Sequence, residues 1–302
     1  MPITGTGGGG CPPSLFLYDN NNEVIMVSIY GKQIELDKAL DDLVEIEDLE
    51  VYRSIREEGE RTRRGYSMYT HSEVLRDMVG MSEYHLKQQG YNLVDARVEF
   101  DDGKYYAPNS VHYKEAPASR MFAKLYFEHP SHPTFDNRMI VGFRNSMDKS
   151  MSFGIAIGAE VLVCSNLCIS GSGITLLKKH VGEIREKVIV LATKHLPVAS
   201  SEYTKIRNLL SKLKDTDITN DDAYSMLGRM YGNKVIRANE FTNSVRTFNR
   251  PTHSEYGEGT LNTLYQAVTE ACGEQPIQKR LHTMSKVTDF VRNEAYNKYM
   301  LN

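Results

Sequence analysis

The sequence has no tryptophan, only four cysteines and no long uninterrupted apolar run among its 302 residues. A membrane-spanning helix needs about 18 or more apolar residues in succession, so the sequence offers no candidate for one. The cysteines are too few and too irregularly spaced for a disulfide framework, which favours a reducing compartment. The first residues lack the basic start and apolar core of a signal peptide. We therefore expect a soluble cytosolic protein with free thiols and no membrane partner.

Net charge is also small, because 36 Lys and Arg face 39 Asp and Glu, a formal balance of -3. No overall basic field is present to recruit nucleic acid or an anionic membrane. Hydrophobic residues make up 40% and charged residues 25%, as in an average globular chain. This length fits one large domain or two modest ones.

Motifs of enzymes and cofactor sites are missing as well. The glycine run at residues 7–10 is followed by Cys11-Pro12-Pro13 rather than by the helix of a phosphate loop. Cys164 and Cys168 would lie about 13 Å apart on a continuous strand, too far for one zinc ion. His129 and His132 are separated and flanked by prolines, which exclude a helix that could pair them. The sequence predicts no catalytic residue, no metal and no cofactor.

Hydrophobic periodicity predicts an α+β fold with a central antiparallel β-meander. We expect a flexible glycine-rich lead (1–14), a hairpin and acidic helix (15–65), a core with the sheet (66–173) and a mostly helical C-terminal region (174–302). The hairpin would pair Leu15–Tyr18 with Val24–Tyr30. Five strands are then expected at 93–100, 105–113, 118–127, 138–144 and 151–165. Helices are expected at 72–79, 84–89, 174–196, 201–213, 220–231, 260–272 and 278–299.

One segment is strongly polarised in charge: residues 35–60 hold 11 acidic residues against Lys38, Arg53 and Arg56. Leucines at helical spacing indicate an amphipathic helix whose acidic side is either a solvated face or a docking surface for a basic partner. The three arginines that follow this segment either offset its negative charge or bind phosphate groups. The partner-binding candidates are Asp41, Asp42, Glu45, Glu47, Arg61, Arg63 and Arg64.

The C-terminal helices carry an apolar stripe interrupted at Gly273–Pro276. This break suggests an arm that projects from the sheet and needs a partner surface. We therefore expect a homo-oligomer whose contacts include Leu264, Val268, Leu281 and Phe290.

The richest polar cluster is Asn145–Ser150, which lies between two apolar strands. Short polar side chains of this kind bond their own backbone, so a tight turn explains the cluster, while a functional turn is the alternative. The pattern Asn145-Ser146-x-Asp148-x-Ser150, the later block with Cys164 and Asn166, and Thr260–Glu270 resemble an uncharacterised family of phage- and plasmid-encoded proteins. The resemblance covers about residues 65–300. It departs at Lys149, where members often have a small residue, and in the acidic N-terminal part. It implies a viral or mobile-element protein and brings no known catalytic role.

Two functions fit a motif-poor phage protein. One is a non-enzymatic interaction protein, a counter-defence factor that inhibits a host protein complex as phage Gabija anti-defence proteins do. The other is a DNA-metabolism accessory of the single-strand-annealing kind. Strand binders usually combine a basic groove with aromatics. Residues 171–250 hold 14 Lys and Arg against 8 Asp and Glu with only scattered aromatics. The sequence therefore favours the interaction protein.

Overall fold

The computed structural model describes residues 26–29, 32–60, 65–106, 111–131, 138–160, 167–168, 175–273, 275, 277–295 and 297–298. Its strands are β1 (Met26–Ile29), β2 (Lys32–Glu35), β3 (Asn92–Tyr106), β4 (Tyr113–Glu128), β5 (Met139–Ser146), β6 (Phe153–Glu160), β7 (Leu167–Cys168) and β8 (Thr175–Lys178). Its helices are α1 (Leu36–Glu47), α2 (Glu50–Glu60), α3 (His71–Lys87), α4 (Ile184–His195), α5 (Ala199–Lys214), α6 (Asn220–Gly232), α7 (Ala238–Asn249), α8 (Leu261–Gly273) and α9 (Ile277–Ala295).

The strands form one sheet in the order β2-β1-β3-β4-β5-β6-β7, and β8 also pairs with β6. Strands β3 to β7 are antiparallel neighbours in chain order, whereas β1 runs parallel to β3. The predicted α+β fold with an antiparallel meander is confirmed. None of the helices in the described ranges is long and apolar enough to cross a membrane.

The meander has two unlike faces because side chains alternate along each strand. On the first face Met121, Val141 and Ile157 join the main core together with the buried sides of α1 and α3 to α9. On the second face the buried cluster consists of Tyr126, Ile140 and Ala156. The described helices therefore contribute their buried residues to the first face, apart from α2, which packs against the far end of β3 and β4.

Several predicted boundaries at the N-terminal side are wrong. Strand β1 pairs with β2, while its predicted partner at 15–18 lies outside the described residues. The acidic segment forms two helices, because the chain turns at Asp48 and Leu49. The two short helices predicted at 72–79 and 84–89 are one helix, α3, which runs through Gly80. Helix α3 begins with a capping box in which Thr70 and Glu73 bond each other's backbone N–H.

The meander region shows two further corrections. Asp101-Asp102-Gly103 is a register shift inside the long strand β3 and not a turn between two strands. Residues 175–178, predicted as the start of a helix, pair with β6 as β8, and the helix begins only at Ile184. The structure also contains α7, which the sequence reading did not assign.

The C-terminal helices do not project as an arm. Leu264 and Val268 of α8 are fully buried in the main core, and Phe290 of α9 packs against that core. The side chain of Leu281 lies outside the described part. The apolar stripe is therefore covered by the chain's own helices, so Leu264 and Val268 are not available to a second copy.

Truncating the buried Leu264 tests this packing. We expect Leu264→Ala to lower the free energy of unfolding by about 2–5 kcal/mol, since it removes a buried side chain and leaves a cavity. The matched control Leu49→Ala, at a side chain 40% exposed between α1 and α2, should change it by about 0.5 kcal/mol or less. Urea denaturation measures both, and equal small losses would show that α8 is not part of the core.

Candidate functional site

The polar motif residues at the end of β5 meet beneath the N-terminus of α3. Asn145, Ser146 and Asp148 are buried, and the turn that contains them connects β5 to β6. Lys149 in this turn has a positive φ of 65°, a conformation that a non-glycine residue seldom adopts. Contacts with neighbouring residues therefore hold this turn in place, and the contacts of Asp148 are polar.

Asp148 is the buried anion of this cluster, with a fully buried side chain. Its carboxylate accepts hydrogen bonds from Ser119 Oγ at 3.0 Å and from the backbone N–H of Ser150 at 3.0 Å. Arg120 Nε lies 3.4 Å from Oδ2, so a cation compensates the charge. The backbone of Gly103 passes so close that a Cβ there would overlap both Asp148 Oδ2 and Ser119 Oγ. The glycine in the β3 register shift is thus required by this carboxylate.

Asn145 connects the end of β5 to the start of α3. Its Nδ2 donates to the backbone oxygen of Tyr69 at 2.7 Å and lies 3.0 Å from Nδ1 of His71. His71 Nε2 lies 3.0 Å from the backbone oxygen of Ala118. A carbonyl can only accept, so Nε2 carries the proton and Nδ1 accepts from Asn145. Complete burial lowers the pKa of His71 to about 3, which keeps the ring neutral.

His180 is the second buried imidazole of the cluster. Its ring stacks on Tyr66 with centroids 5.4 Å apart, and the Tyr66 hydroxyl donates to the backbone oxygen of Ser146 at 2.8 Å. Among the described residues, neither ring nitrogen of His180 has a hydrogen-bond partner. Burial lowers its pKa to about 4, although the charge of Asp148 acts in the opposite direction. An unpartnered buried imidazole is costly and makes this position sensitive to acid.

The chemistry of the cluster is that of a structural connection. The hydroxyl of Ser119 bonds a carboxylate rather than an imidazole, and both nitrogens of His71 are already engaged. A nucleophile paired with a general base is therefore not formed by these residues. Within the described ranges, no three His, Cys, Asp or Glu side chains are arranged to hold a metal ion. Cys164, Asn166 and the side chain of Cys168 lie outside those ranges.

The acidic partner-binding candidates divide into two groups. Asp41, Asp42 and Glu45 are exposed on α1, as expected for a docking face. Glu47 is buried, and its inclusion in that face is wrong. Its carboxylate accepts from both the backbone N–H and the hydroxyl of Ser72, each at 2.7 Å, at the N-terminus of α3. Arg61, Arg63 and Arg64 lie outside the described residues.

Glu47 therefore fastens the acidic helix to the core. The N-terminus of a helix favours a negative charge, and Glu47 supplies one to α3. Burial nevertheless raises the pKa of Glu47 above its usual value, with the Ser72 hydrogen bonds acting against that rise. The helix α1 is thereby fixed at its C-terminal end, while its exposed acids remain on the outside.

Comparison with known proteins adds no function. A scan of protein-family models finds no match, and neither curated proteins nor solved structures match this chain. The family resemblance inferred from the motif around Asn145 thus stays a prediction, and so does a viral origin.

The sequence reading singled out Asn145, Ser146, Asp148 and Ser150 but missed the partners that enclose them. His71, Ser119 and His180 come from three distant segments, and nothing in their local spacing indicates that they meet. The one usable signal was the capping box at Thr70 and Glu73, which marks the N-terminus of α3 beside His71.

The two buried histidines predict loss of stability in acid. Both have folded pKa values below 6.5, so the unfolded chain binds protons first, and their stability contribution is lost as the pH falls below about 6.5. Each should cost about 2 kcal/mol between pH 7.5 and pH 5. His180→Phe keeps an aromatic ring against Tyr66, so it should remove about half of this loss. Urea midpoints at both pH values measure it.

His195→Phe, at the partly exposed end of α4, is the control and should keep the wild-type pH dependence. The raised pKa of Glu47 acts in the opposite direction, because its contribution grows as the pH falls. The difference between wild type and His180→Phe isolates the histidine from it. An identical loss in both proteins would contradict a buried neutral His180.

The close approach at Gly103 predicts a second effect. Gly103→Ala places a methyl group against Asp148 and Ser119, so we expect the free energy of unfolding to fall by about 1–3 kcal/mol. Gly228→Ala is the control, because nothing lies within 4 Å of a Cβ added there in α6. It should raise stability by about 0.5–1 kcal/mol through helix propensity. Thermal unfolding distinguishes them, and a neutral Gly103→Ala would contradict the enclosed carboxylate.

Proposed function

We propose that this chain is a non-enzymatic interaction protein that binds a basic protein surface through the exposed acidic face of α1. The observation that carries the proposal is that Asp41, Asp42 and Glu45 are exposed together and make no ion pair with any described residue. Some other charged surface residues are paired, as in Lys114–Glu50 and Arg185–Asp77. The uncompensated acids of α1 are thus available to a partner.

The face is also rigid, which favours binding because little ordering is needed. Leu36, Leu40 and Leu43 bury the opposite side of α1 in the main core. Glu47 anchors its C-terminal end to Ser72. The acids are therefore presented on a helix whose position is fixed on two sides.

Apolar side chains lie among these acids. Val44 is 44% exposed and Leu49 is 40% exposed, next to Glu45 and the turn after α1. Interfaces combine an apolar centre with charged groups that steer encounter and exclude wrong partners. A surface that combines acids with exposed Val and Leu fits a basic protein better than nucleic acid, whose phosphates the acids would repel.

The biological setting proposed for this binding is counter-defence. The resemblance to phage proteins favours a host anti-phage complex of the Gabija type as the partner, in the host cytoplasm. Self-association of the chain is also proposed, but through residues other than the buried Leu264 and Val268.

Neutralising the acidic face tests the function. We expect Asp41→Asn, Asp42→Asn and Glu45→Gln together to weaken binding by about 10- to 100-fold, since each lost charge pair is worth about 0.5–1 kcal/mol. The tagged chain is used to capture partners from nuclease-treated lysate of infected host cells, and the inhibition of the captured complex is measured. Unfolding midpoints should stay unchanged, because all three side chains are exposed.

A control variant removes the same number of charges elsewhere: Asp215→Asn, Asp221→Asn and Glu186→Gln change exposed residues at the end of α5, on α6 and on α4. It should capture and inhibit the partner as the wild type does. Equal binding by all three proteins would contradict the role of α1. Tight binding of a single-stranded 30-mer that falls steeply between two salt concentrations would instead support the DNA-metabolism alternative.

A further inference from the structure

The ammonium group of Lys149 contacts two tyrosine rings and a carboxylate. Its Nζ lies 5.5 Å from the ring centroid of Tyr66 and 5.2 Å from that of Tyr105. Both distances are within the range of cation–π attraction. Glu58 Oε1 lies 2.8 Å from the same Nζ and compensates its charge. We call Tyr66, Tyr105 and Glu58 the ammonium cage.

The three residues of the ammonium cage have contacts that do not involve the lysine. Tyr105 is buried, and its hydroxyl donates a hydrogen bond to Glu58. The Tyr66 hydroxyl donates to the backbone oxygen of Ser146 at 2.8 Å, and the Tyr66 ring stacks on His180. Helix α2, which carries the carboxylate, packs against β3 and β4. The walls of the cage are therefore positioned by the fold and not by the cation between them.

The cation in the cage can be exchanged more easily than the walls. The side chain of Lys149 is 29% exposed and that of Glu58 is 30% exposed, so their ion pair is accessible to solvent. Ion pairs that solvent reaches contribute little to stability. A lysine side chain is also a flexible chain of four carbons. Lys149 can therefore leave the cage by rotation of its own side chain, while β5 and β6 stay in place.

We propose that the ammonium cage is a binding site for a lysine side chain of a partner protein, and that Lys149 occupies it while no partner is bound. Two aromatic rings and a carboxylate together recognise an ammonium group through cation–π attraction and a charge-assisted hydrogen bond. The assignment to a protein lysine rests on the proposed function, because the partner proposed there has a basic surface.

The cage lies at a distance from the acidic face that one interface can span. Glu58 follows Leu49, the exposed residue at the turn after α1, by nine positions. This separation corresponds to about 14 Å along helix α2. A basic surface that binds Asp41, Asp42 and Glu45 can therefore also present a lysine to the cage.

The internal lysine lowers the affinity of the cage for any other ammonium group, because only molecules with an empty cage can bind one. Removing the Lys149 side chain should therefore strengthen the binding of a free lysine compound. This expectation is specific to a self-occupied cage, since the loss of an ordinary surface lysine creates no site for a cation.

The test titrates N-acetyl-lysine methylamide into isotope-labelled protein and follows the backbone amide shifts by NMR. Lys149→Gly empties the cage, and glycine adopts the positive φ of this position without strain. We expect this variant to bind the probe about tenfold more tightly than the wild type, because no internal ammonium group competes. Lys234→Gly is the matched control, since Lys234 is exposed and has a φ of 57°. It should bind the probe as the wild type does.

A second substitution examines the carboxylate of the cage. Glu58→Gln keeps an oxygen that can accept from Tyr105 but removes the charge. In the Lys149→Gly background it should weaken probe binding by about three- to tenfold. N-acetyl-norleucine methylamide, which lacks the ammonium group, should not bind to any of these proteins.

Absence of binding to Lys149→Gly, or equal affinity of that variant and the wild type, would overturn the proposal. Binding of the norleucine compound with the affinity of the lysine compound would also overturn it. Tighter binding of tetramethylammonium than of the lysine compound would overturn the assignment to a partner lysine and favour a quaternary ammonium ligand. The probe contains no partner protein, so these results are independent of the variants that test the acidic face of α1.

Discussion

The enclosed carboxylate of Asp148 is the constraint on which the central part of the structure depends. A buried charge must be bonded and compensated, so Ser119, Ser150 and Arg120 all converge on it. Gly103 brings the β3 backbone against it, and Lys149 accepts a positive φ to complete the turn. The register of β3, β4 and β5 is fixed together, because shifting any one strand would leave the carboxylate unsatisfied.

The same end of the sheet positions α3, and α3 in turn positions the acidic helix. Asn145 and His71 bond β5 to the start of α3, where Ser72 receives the carboxylate of Glu47. Hydrogen bonds thus connect the buried polar cluster to α3, and α3 to the helix that carries the exposed acids. Asp41, Asp42 and Glu45 of α1 are exposed, whereas Glu47 is buried and holds the helix in place. Their different roles follow from burial and not from residue type.

The sequence predicted what local periodicity determines. Strand β5 and helices α5, α6 and α8 begin and end close to the expected residues. Strand β4 begins five residues before the expected start and runs through the turn predicted at 115–117. Hydrophobic periodicity predicts the wrong element where pairing between distant segments determines the structure. Leu176 and Leu177 fit a helical stripe, but pairing with β6 makes them a strand. Asp101-Asp102-Gly103 has the composition of a turn, but Gly103 lies in strand β3, where the lack of a side chain leaves room for the carboxylate of Asp148. The polar residues 145–150 stand out in the sequence by their composition. The position of His180 beside this cluster follows only from the fold.

Two charged features of opposite sign lie on opposite sides of the sheet. Helix α1 packs into the first-face core through its leucines, while Arg144 points from β5 to the second face. The sheet between them is buried on its first face and contains small residues on its second. The meander therefore keeps the exposed acids of α1 apart from the guanidinium of Arg144.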